Sequence, residues 1–190
     1  MKRIIVGMSG ASGVIYGIRL LEVLKEMKQE THLVISGGAK KNIEIETDYS
    51  VEKVEGLAHK VYSMGNLAAS ISSGSFRTDG MVIVPCSMKT LSGVAHSYNE
   101  NLLIRAADVA LKEKRKLILV VRETPFHQGH LKAMLAVSEM GGVILPPVPA
   151  FYHHPKSIDD LINHIIGKIL DLLGIENSMF RRWGGENHSE

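Results

Sequence analysis

The sequence predicts an α/β fold: a single-domain, three-layer sandwich built on a doubly wound, mostly parallel sheet. Short apolar runs rich in β-branched residues alternate along the chain with longer segments in which apolar residues recur at helical spacing. The short runs are continuously apolar, which is typical of strands that are covered on both faces. This alternation favours parallel strands joined by right-handed helical crossovers, with helices on both sides of the sheet.

The first half of the chain alternates in this way from its start. Arg3–Met8 is a β-branched run that stops at the loop Ser9–Gly13, after which apolar residues have helical spacing. Between Asn66 and Gly80 little apolar periodicity remains, which predicts a loop or broken helix of a length that is often functional. The elements predicted up to the middle of the chain are a strand at 3–8, a helix at 14–27, a strand at 31–36, helices at 39–46 and 51–59, and a strand at 81–85.

The second half continues the pattern and ends in a long helix. Ser157 is the expected N-cap of that helix, Asp160 stands at its third position, and Gly174 ends it. The elements before it are a largely helical stretch at 91–114, a strand at 116–121, a helix at 130–140 and a strand at 142–145. We therefore predict one domain over residues 1–176 and an irregular C-terminal arm over residues 177–190.

Composition restricts the class of protein. A chain of 190 residues with 45% hydrophobic content can bury one sizeable core. Its net charge of +2, on scattered basic residues, does not indicate a nucleic-acid partner and suits an anionic small molecule. Cys86 is the only cysteine, so no intrachain disulfide can form. Because the first apolar run is interrupted by Gly7, we expect no signal peptide and no membrane span, hence a cytoplasmic protein.

Two turns follow predicted strands at what should be the same edge of the sheet. Doubly wound sheets bind ligands at the carboxyl ends of their strands, where helix N-termini attract phosphate. Ser9–Gly13 follows the first strand, and Pro85–Thr90 follows the strand at 81–85. The glycine spacing differs from the dinucleotide fingerprint, and the second strand ends in Ser36 instead of an acidic residue. These features favour a mononucleotide over NAD.

Other residues allow two interpretations each. Cys86 is either a small buried residue at a strand end or a ligand contact. Arg105 and Lys112 lie two helical turns apart, and they either share an anion site or belong to a solvated helix surface. Arg122 and Glu123 directly follow the strand at 116–121, which places a charged pair at the ligand-binding edge.

Histidine and tyrosine residues in the last third of the chain are further candidates for a site. His127 and His130 have a metal-like spacing, but no cysteine or acidic pair accompanies them at zinc-site distances, so we predict no metal site. Tyr152 follows the proline-rich exit from the last strand, where its hydroxyl either faces a ligand or packs within an aromatic loop.

An ordered set of motifs between Lys2 and Trp183 resembles the UbiX flavin prenyltransferase family of the flavoprotein superfamily, which includes small subunits of phenolic-acid decarboxylase systems. The resemblance implies a Rossmann-like or flavodoxin-like subunit that forms homo-oligomers, trimers and commonly dodecamers, with sites between neighbouring subunits. The motifs are Ser9-Gly-Ala-Ser-Gly13, Ile71-Ser-Ser-Gly-Ser-Phe76, Pro85-Cys-Ser87, Arg105-Ala-Ala-Asp-Val109-Ala-Leu-Lys112, Arg122-Glu-Thr-Pro125 and Pro146-Pro-Val-Pro-Ala-Phe-Tyr-His153.

The resemblance also implies ligands and the residues that bind them. The acceptor is reduced FMN, the donor is dimethylallyl monophosphate, and a UbiD-type decarboxylase uses the prenylated FMN. The residues implied for FMN binding are Gly10, Ala11, Ser12, Ser36, Ser87, Met88, Lys89, Thr90 and Arg122. Those implied around the donor phosphate are Arg105, Lys112, Arg122, Glu123, Tyr152 and Lys168, and those implied for proton transfer are Ser12, Glu46 and Glu123. Lys168 stands where some members carry arginine, so it offers a point charge in place of a bidentate contact.

The implied reaction joins the dimethylallyl carbon to flavin N5 as phosphate leaves, and then closes a fourth ring through C6. Arginine, lysine and tyrosine donors suit the charge that builds on a leaving phosphate, and carboxylates suit the proton transfers of ring closure. The sequence holds no metal-ligand cluster, so we predict a metal-independent reaction.

Two other functions compete with this one. The first is a non-catalytic FMN-binding small subunit of an aromatic acid decarboxylase system, against which the presence of Glu46, Lys112, Glu123 and Tyr152 argues. The second is a flavin-dependent decarboxylase of a peptide cysteine. That group is expected to use a histidine near the first helix, and Gly13–Leu24 contains none.

Overall fold

The sheet of the computed structural model contains six strands within residues 1–184, the part of the chain that the structure describes. They are β1 (Arg3–Met8), β2 (Glu30–Ile35), β3 (Lys60–Tyr62), β4 (Gly80–Cys86), β5 (Lys116–Val121) and β6 (Val143–Ile144). Their spatial order is β3-β2-β1-β4-β5-β6, and every pairing is parallel. The predicted doubly wound α/β sheet is confirmed.

Helices occupy most of the connections between strands. Seven occur within residues 1–184: α1 (Val14–Glu26), α2 (Gly37–Glu46), α3 (Val51–Glu55), α4 (Met88–Ala95), α5 (Leu102–Lys112), α6 (Gln128–Glu139) and α7 (Ile158–Leu172). A short 3₁₀ turn at Ser70–Ser72 lies in the segment predicted as a loop or broken helix. In the described residues, no helix combines the length and the apolar character that crossing a membrane requires.

The centre of the sheet positions the ligand-binding edge. Every residue of β4 is buried, and α1 packs closely behind this strand, because a Cβ at Gly17 would lie 2.5 Å from the carbonyl oxygen of Val84. Strand order reverses direction between β1 and β4, so the chain leaves their carboxyl ends towards opposite sides of the sheet. A crevice opens at such a switch point, and this is where α/β proteins bind nucleotides.

Two predicted helices need correction. The helix predicted at 51–59 ends at Glu55, and the unpredicted strand β3 follows. β3 is a three-residue edge strand with two exposed residues, so it lacks the apolar run by which strands are recognised. The helical stretch predicted at 91–114 is divided into α4 and α5. Ser97 has φ 50°, a left-handed conformation that interrupts a helix, and the Asn101 side chain caps α5.

The chain divides into two compact units, residues 1–147 and residues 148–190. The first contains the sheet and α1–α6, and the second contains α7. The predicted capping box of α7 is present: the Ser157 Oγ accepts from the Asp160 nitrogen at 3.2 Å, and the Asp160 carboxylate accepts from the Ser157 nitrogen at 3.0 Å. Gly174, with φ 64°, follows the end of the helix as predicted.

The described part of the predicted C-terminal arm folds back on α7. Arg182 donates two hydrogen bonds to the Asp171 carboxylate, at 2.9 and 2.7 Å, and the Asn177 amide donates to the same carboxylate at 2.9 Å. Phe180 fits over Gly167, where a Cβ would lie 2.3 Å from its ring. The boundary between a domain of 1–176 and an arm of 177–190 stays a prediction, and residues 185–190 lie outside the described part of the chain.

Candidate functional site

The two predicted ligand-binding turns meet at Ser9. This serine is 1% exposed, and its Oγ donates to the carbonyl of Pro85 at 3.1 Å while accepting from the Ser87 nitrogen at 2.8 Å. The turn after β1 is thereby joined to the turn after β4. Ser9 was not among the predicted site residues, because its role depends on a contact across 78 positions of sequence.

A cleft of about 460 Å³ lies at this edge. The turn after β1 packs directly on the start of α2: a Cβ at Gly10 would lie 3.2 Å from the Cα of Gly38, and one at Gly38 would lie 3.1 Å from the Cα of Gly10. The two glycines thereby bring this turn and this helix start together at the edge of the cleft. The cleft is lined by Ser9, Gly10, Ser36, Gly37, Gly38, Met64, Ser87, Lys89, Thr90, Glu100, Asn101 and Ile104.

Two helices begin at the wall of the cleft. The Ser36 Oγ caps α2 by accepting from the Ala39 nitrogen at 3.1 Å, and the Ser87 Oγ caps α4 by accepting from the Thr90 nitrogen at 3.4 Å. Each serine satisfies one N–H of the first turn and leaves the others directed outward, where the helix dipole favours an anion. The N-termini of α2 and α4 are together suited to binding a phosphate group.

The N-terminus of α1 is already occupied. One carboxylate oxygen of Glu46, Oε2, accepts from the Gly13 nitrogen at 2.8 Å and from the Val14 nitrogen at 3.3 Å. Gly13 has φ 95°, which an L side chain rarely adopts, and this turn aims both nitrogens at the carboxylate. The predicted proton-transfer residues Ser12 and Glu46 therefore lie at one loop, and α2 and α4 offer the open helix ends.

Arg122 and Glu123 lie at the carboxyl edge of the sheet, as predicted. The Arg122 nitrogen donates to the Cys86 carbonyl at 3.1 Å, which places this residue beside the turn that begins α4. Its side chain is exposed, and one oxygen of Glu123 accepts from the Thr124 nitrogen at 2.9 Å. Both residues thus lie just after β5 at the carboxyl edge of the sheet, next to the turn that begins α4.

Arg105 and Lys112 each pair with an acidic neighbour on or next to α5. The Arg105 guanidinium donates to the Ser72 carbonyl at 3.2 Å and pairs with Asp108 at 2.9 Å, while Lys112 pairs with Glu113. Lys112 ends α5 just before β5 begins, so it lies near the amino edge of the sheet. Arg122 follows the other end of this six-residue strand, about 20 Å away at 3.3 Å per residue.

Cys86 is a buried apolar residue, which agrees with the first of its two interpretations. It is fully buried at the end of β4, and burial raises the pKa of its thiol well above the ordinary value. The thiolate is the reactive form of cysteine, so this side chain is not a nucleophile.

His127 and His130 form a ring pair at the start of α6. Their centroids are 3.6 Å apart, and the His127 Nδ1 accepts from the Gly129 nitrogen at 3.0 Å as a helix cap. Within residues 1–184, no three histidine, cysteine or acidic side chains form a group that could hold a metal ion.

The second unit carries Tyr152 and Lys168. The Tyr152 hydroxyl lies 3.1 Å from the Nε2 of His164, and the Tyr152 ring contacts Trp183 edge-on. Lys168 is exposed on α7, one helical turn after His164. The sequence did not single out His164, because a buried histidine on a helix is unremarkable until its partner is known.

The implied FMN residues fall into two groups in the structure. Gly10, Ser36, Ser87, Lys89 and Thr90 line the cleft at the switch point. Ala11 and Ser12 lie in the turn after β1, Met88 begins α4 and Arg122 follows β5, all outside the cleft lining. The fold and this cleft define a mononucleotide-binding α/β protein.

Comparison with known proteins narrows that class. The Flavoprotein family model matches residues 1–170. A flavin prenyltransferase UbiX from Thauera aromatica is 57% identical over 188 residues, covering 99% of this chain and 97% of the relative. The flavin prenyltransferase UbiX of Escherichia coli K12 is 56% identical over 188 residues, covering 97% of this chain and the whole relative. The chain belongs to the Flavoprotein family and, within it, to the flavin prenyltransferases of the UbiX type, as its motifs predicted.

Solved structures agree with this assignment. AnUbiX (PadA1), crystallised with FMN and dimethylallyl pyrophosphate, has a TM-score of 0.95 and 49% identity over 97% of this chain and 98% of its own. A dodecameric FMN-dependent UbiX-like decarboxylase from Escherichia coli O157:H7 has a TM-score of 0.94 and 52% identity over 96% of this chain and all of its own. The cysteine decarboxylase TvaF, at 11% identity and a TM-score of 0.65, shares the fold alone.

Proposed function

We propose that this chain is a flavin prenyltransferase that transfers a dimethylallyl group from dimethylallyl monophosphate to N5 and C6 of reduced FMN, releasing phosphate and prenylated FMN. The observation that carries the proposal is the cleft at the β1–β4 switch point, which is lined by the serine-capped starts of α2 and α4. It occurs in a chain that is 57% identical to a flavin prenyltransferase over 99% of its length.

FMN fits this cleft through its phosphate. The outward N–H groups at the starts of α2 and α4 are the donors for the phosphate oxygens, with the hydroxyl of Thr90 beside them. Gly10 and Gly38 let the turn after β1 pack against the start of α2, so that both segments line one cleft. When bound in reduced form, the flavin supplies the two nucleophilic atoms of the reaction. The protein supplies orientation and charge.

The donor phosphate is assigned to cationic and hydroxyl groups. Arg122 follows β5 at the carboxyl edge of the sheet, and Tyr152 and Lys168 are carried by the second unit. These donors stabilise the negative charge that grows on the phosphate as its bond to the allylic carbon breaks. We infer that this charge is neutralised without a divalent cation; activity lost with a chelator and restored by magnesium would contradict that part of the proposal.

Proton transfer is assigned to Glu46, Glu123 and Ser12. The Oε2 of Glu46 accepts from two backbone nitrogens, so its Oε1 is the oxygen left to exchange a proton beside Ser12. Glu123 follows β5 at the carboxyl edge of the sheet, where one of its oxygens accepts from the Thr124 nitrogen. Two positioned carboxylates satisfy the need of ring closure for one proton removed and one supplied.

The complete site is assigned to more than one copy of the chain. Lys112 lies near the amino edge of the sheet, while Arg122 and Glu123 lie at the carboxyl edge, so a single copy does not bring them together. A neighbouring subunit that presents its Lys112 to this edge completes the cationic set. We therefore propose a cytoplasmic, trimer-based homo-oligomer, extended to a dodecamer as in the related structure, that supplies prenylated FMN to a UbiD-type decarboxylase.

The deciding experiment follows the mass of the flavin. Purified protein is mixed with reduced FMN and dimethylallyl monophosphate in the absence of oxygen, and the mass of the extracted flavin is measured by mass spectrometry. We expect a gain of one five-carbon prenyl unit, which Glu123→Gln should slow while FMN stays bound. Tightly bound FMN of unchanged mass, with the donor unconsumed, would favour the non-catalytic carrier subunit instead. Dimethylallyl diphosphate, run in parallel, identifies the preferred donor.

A further inference from the structure

His164 is a buried imidazole with one hydrogen-bonding partner in the described residues. It lies on α7 and is 8% exposed. Its Nε2 is 3.1 Å from the Tyr152 hydroxyl, and its Nδ1 has no hydrogen-bond partner within residues 1–184. A buried polar atom without a partner costs free energy, so a residue that keeps one needs a compensating role.

Aromatic side chains fix the plane of this imidazole. His153 stacks on it with a centroid distance of 5.2 Å and an interplanar angle of 7°. Phe180 meets it edge-on at 4.7 Å, and Tyr152 meets it at 5.8 Å and 78°. With neighbours on these sides, the ring cannot turn freely, and its Nε2 stays directed at the tyrosine oxygen.

The charge state of His164 matters for the direction of this hydrogen bond. Burial lowers its pKa below the ordinary value, and the nearby His153 and Lys168 lower it further. The ring is therefore neutral near pH 7 and carries a single N–H. Tyr152 likewise has one proton to donate, and its hydroxyl oxygen can accept another hydrogen bond.

We propose that His164 is a positioning residue, whose Nε2–H donates to the Tyr152 oxygen and so turns the Tyr152 proton towards the phosphate of the prenyl donor. This inference rests on the proposed function and assigns a new residue to the same site. If His164 instead accepted the tyrosine proton, the hydroxyl would have no donor left for the phosphate.

The position of Lys168 supports the same arrangement. It follows His164 by four residues on α7, so both lie on one face of the helix, about one turn apart. Tyr152 is 41% exposed, which leaves it accessible to a ligand. One face of α7 thus carries the ammonium group of Lys168 and the imidazole of His164, which in turn orients the Tyr152 hydroxyl. A phosphate monoester accepts hydrogen bonds from both the ammonium group and the hydroxyl.

The test compares donor kinetics in full-length, FMN-loaded protein. His164→Phe keeps an aromatic ring of similar size but removes the nitrogen. We expect its KM for dimethylallyl monophosphate to rise about tenfold, because a hydrogen bond to a charged group is misaligned. The kcat and the Kd for FMN should stay close to the wild-type values. His164→Gln, whose amide N–H reaches the position of Nε2, should restore most of the affinity.

Coupling to Tyr152 separates positioning from mere packing. In a Tyr152→Phe background, His164→Phe should raise the KM no further, whereas a packing defect would add to it. Tyr98→Phe, at an exposed tyrosine of the first unit, is the matched control and should change nothing. If His164→Phe does not fold, His164→Leu replaces it with the same expected result.

Two results would overturn the inference. One is a wild-type KM in a folded His164→Phe variant, and the other is an additive effect in the double variant. Both results can be obtained only if the wild type prenylates FMN. If the proposed function is wrong, the wild type itself gives no prenylated product, and the two failures are therefore distinguishable.

Discussion

The Oε2 of Glu46 lies 2.8 Å from the backbone nitrogen of Gly13 and 3.3 Å from that of Val14. A side chain at the end of α2 thereby closes the N-terminus of α1, and the exposed Ser12 lies immediately beside it. The contact gives Glu46 a structural task and places it where its proposed proton transfer is needed.

Glu46→Gln separates these two tasks. Glutamine keeps a carbonyl oxygen that can accept from Gly13, so the loop should be retained, but it cannot exchange a proton at pH 7. We expect prenylated FMN to form about a hundredfold more slowly. Thermal unfolding should change little, and the rate is measured by mass spectrometry of the flavin. A wild-type rate would exclude Glu46 from proton transfer.

Ser87→Ala should weaken FMN binding. The substitution removes the cap of α4 at the cleft and costs about 1 kcal/mol of stability. The loss of a donor at the same position should raise the Kd for FMN roughly tenfold. Fluorescence titration of FMN measures the effect.

Ser50→Ala provides the control for this prediction. Ser50 caps α3 by accepting from the Lys53 nitrogen at 3.2 Å, and it does not line the cleft. The Ser50→Ala variant should lose a similar amount of stability, while its Kd for FMN stays at the wild-type value. Equal weakening in both variants would mean that Ser87 acts only through stability.

Subunit mixing tests the division of the site between copies. Lys112→Ala and Glu123→Gln, each assayed alone, should form prenylated FMN much more slowly than the wild type. In oligomers refolded from an equal mixture, about a quarter of sites should combine an intact Lys112 from one copy with an intact Glu123 from its neighbour. Product formation should recover to that extent. If both residues served a site within one chain, no recovery would occur.

Acid should destabilise the first unit through Glu30 and His32. Arg3, at 2.7 Å, and then His32, at 2.9 Å, lower the pKa of Glu30 from 4.5 to about 2. The stabilisation is therefore present above the unfolded pKa and is lost as the pH falls from about 4.5 to about 2. Because the carboxylate is partly exposed, its contribution is about 1 kcal/mol. Burial also lowers the pKa of His32, so its contribution is lost as the pH falls below its ordinary value of 6.5.

Urea unfolding as a function of pH checks this expectation. Glu30→Gln should lower the free energy of unfolding at pH 7 and flatten its decline below pH 4.5. Glu139→Gln, at an exposed carboxylate on α6, should leave the curve unchanged. A steep acid decline that persists in Glu30→Gln would assign the sensitivity to other carboxylates.

The elements of the fold and the turns of the site were predictable because their signals are local. The apolar run of β4, the helical spacing after Gly13 and the capping box of Ser157 and Asp160 each lie within a few residues, and each appears where it was predicted. Strand β3 and the break between α4 and α5 were missed, since an exposed three-residue strand and the single residue Ser97 leave no periodic pattern. The family resemblance extended the site to residues that local patterns do not identify.

The sequence alone therefore determined the doubly wound sheet, the order of its elements and the two turns at its ligand-binding edge. Only the tertiary structure decided which distant groups meet: Ser9 with Ser87, Glu46 with Gly13, and His164 with Tyr152. It also placed Lys112 and Arg122 at opposite edges of the sheet. The physical reason is that backbone preference and periodicity act over a few residues, whereas side-chain partners are set by strand order and packing across the whole chain.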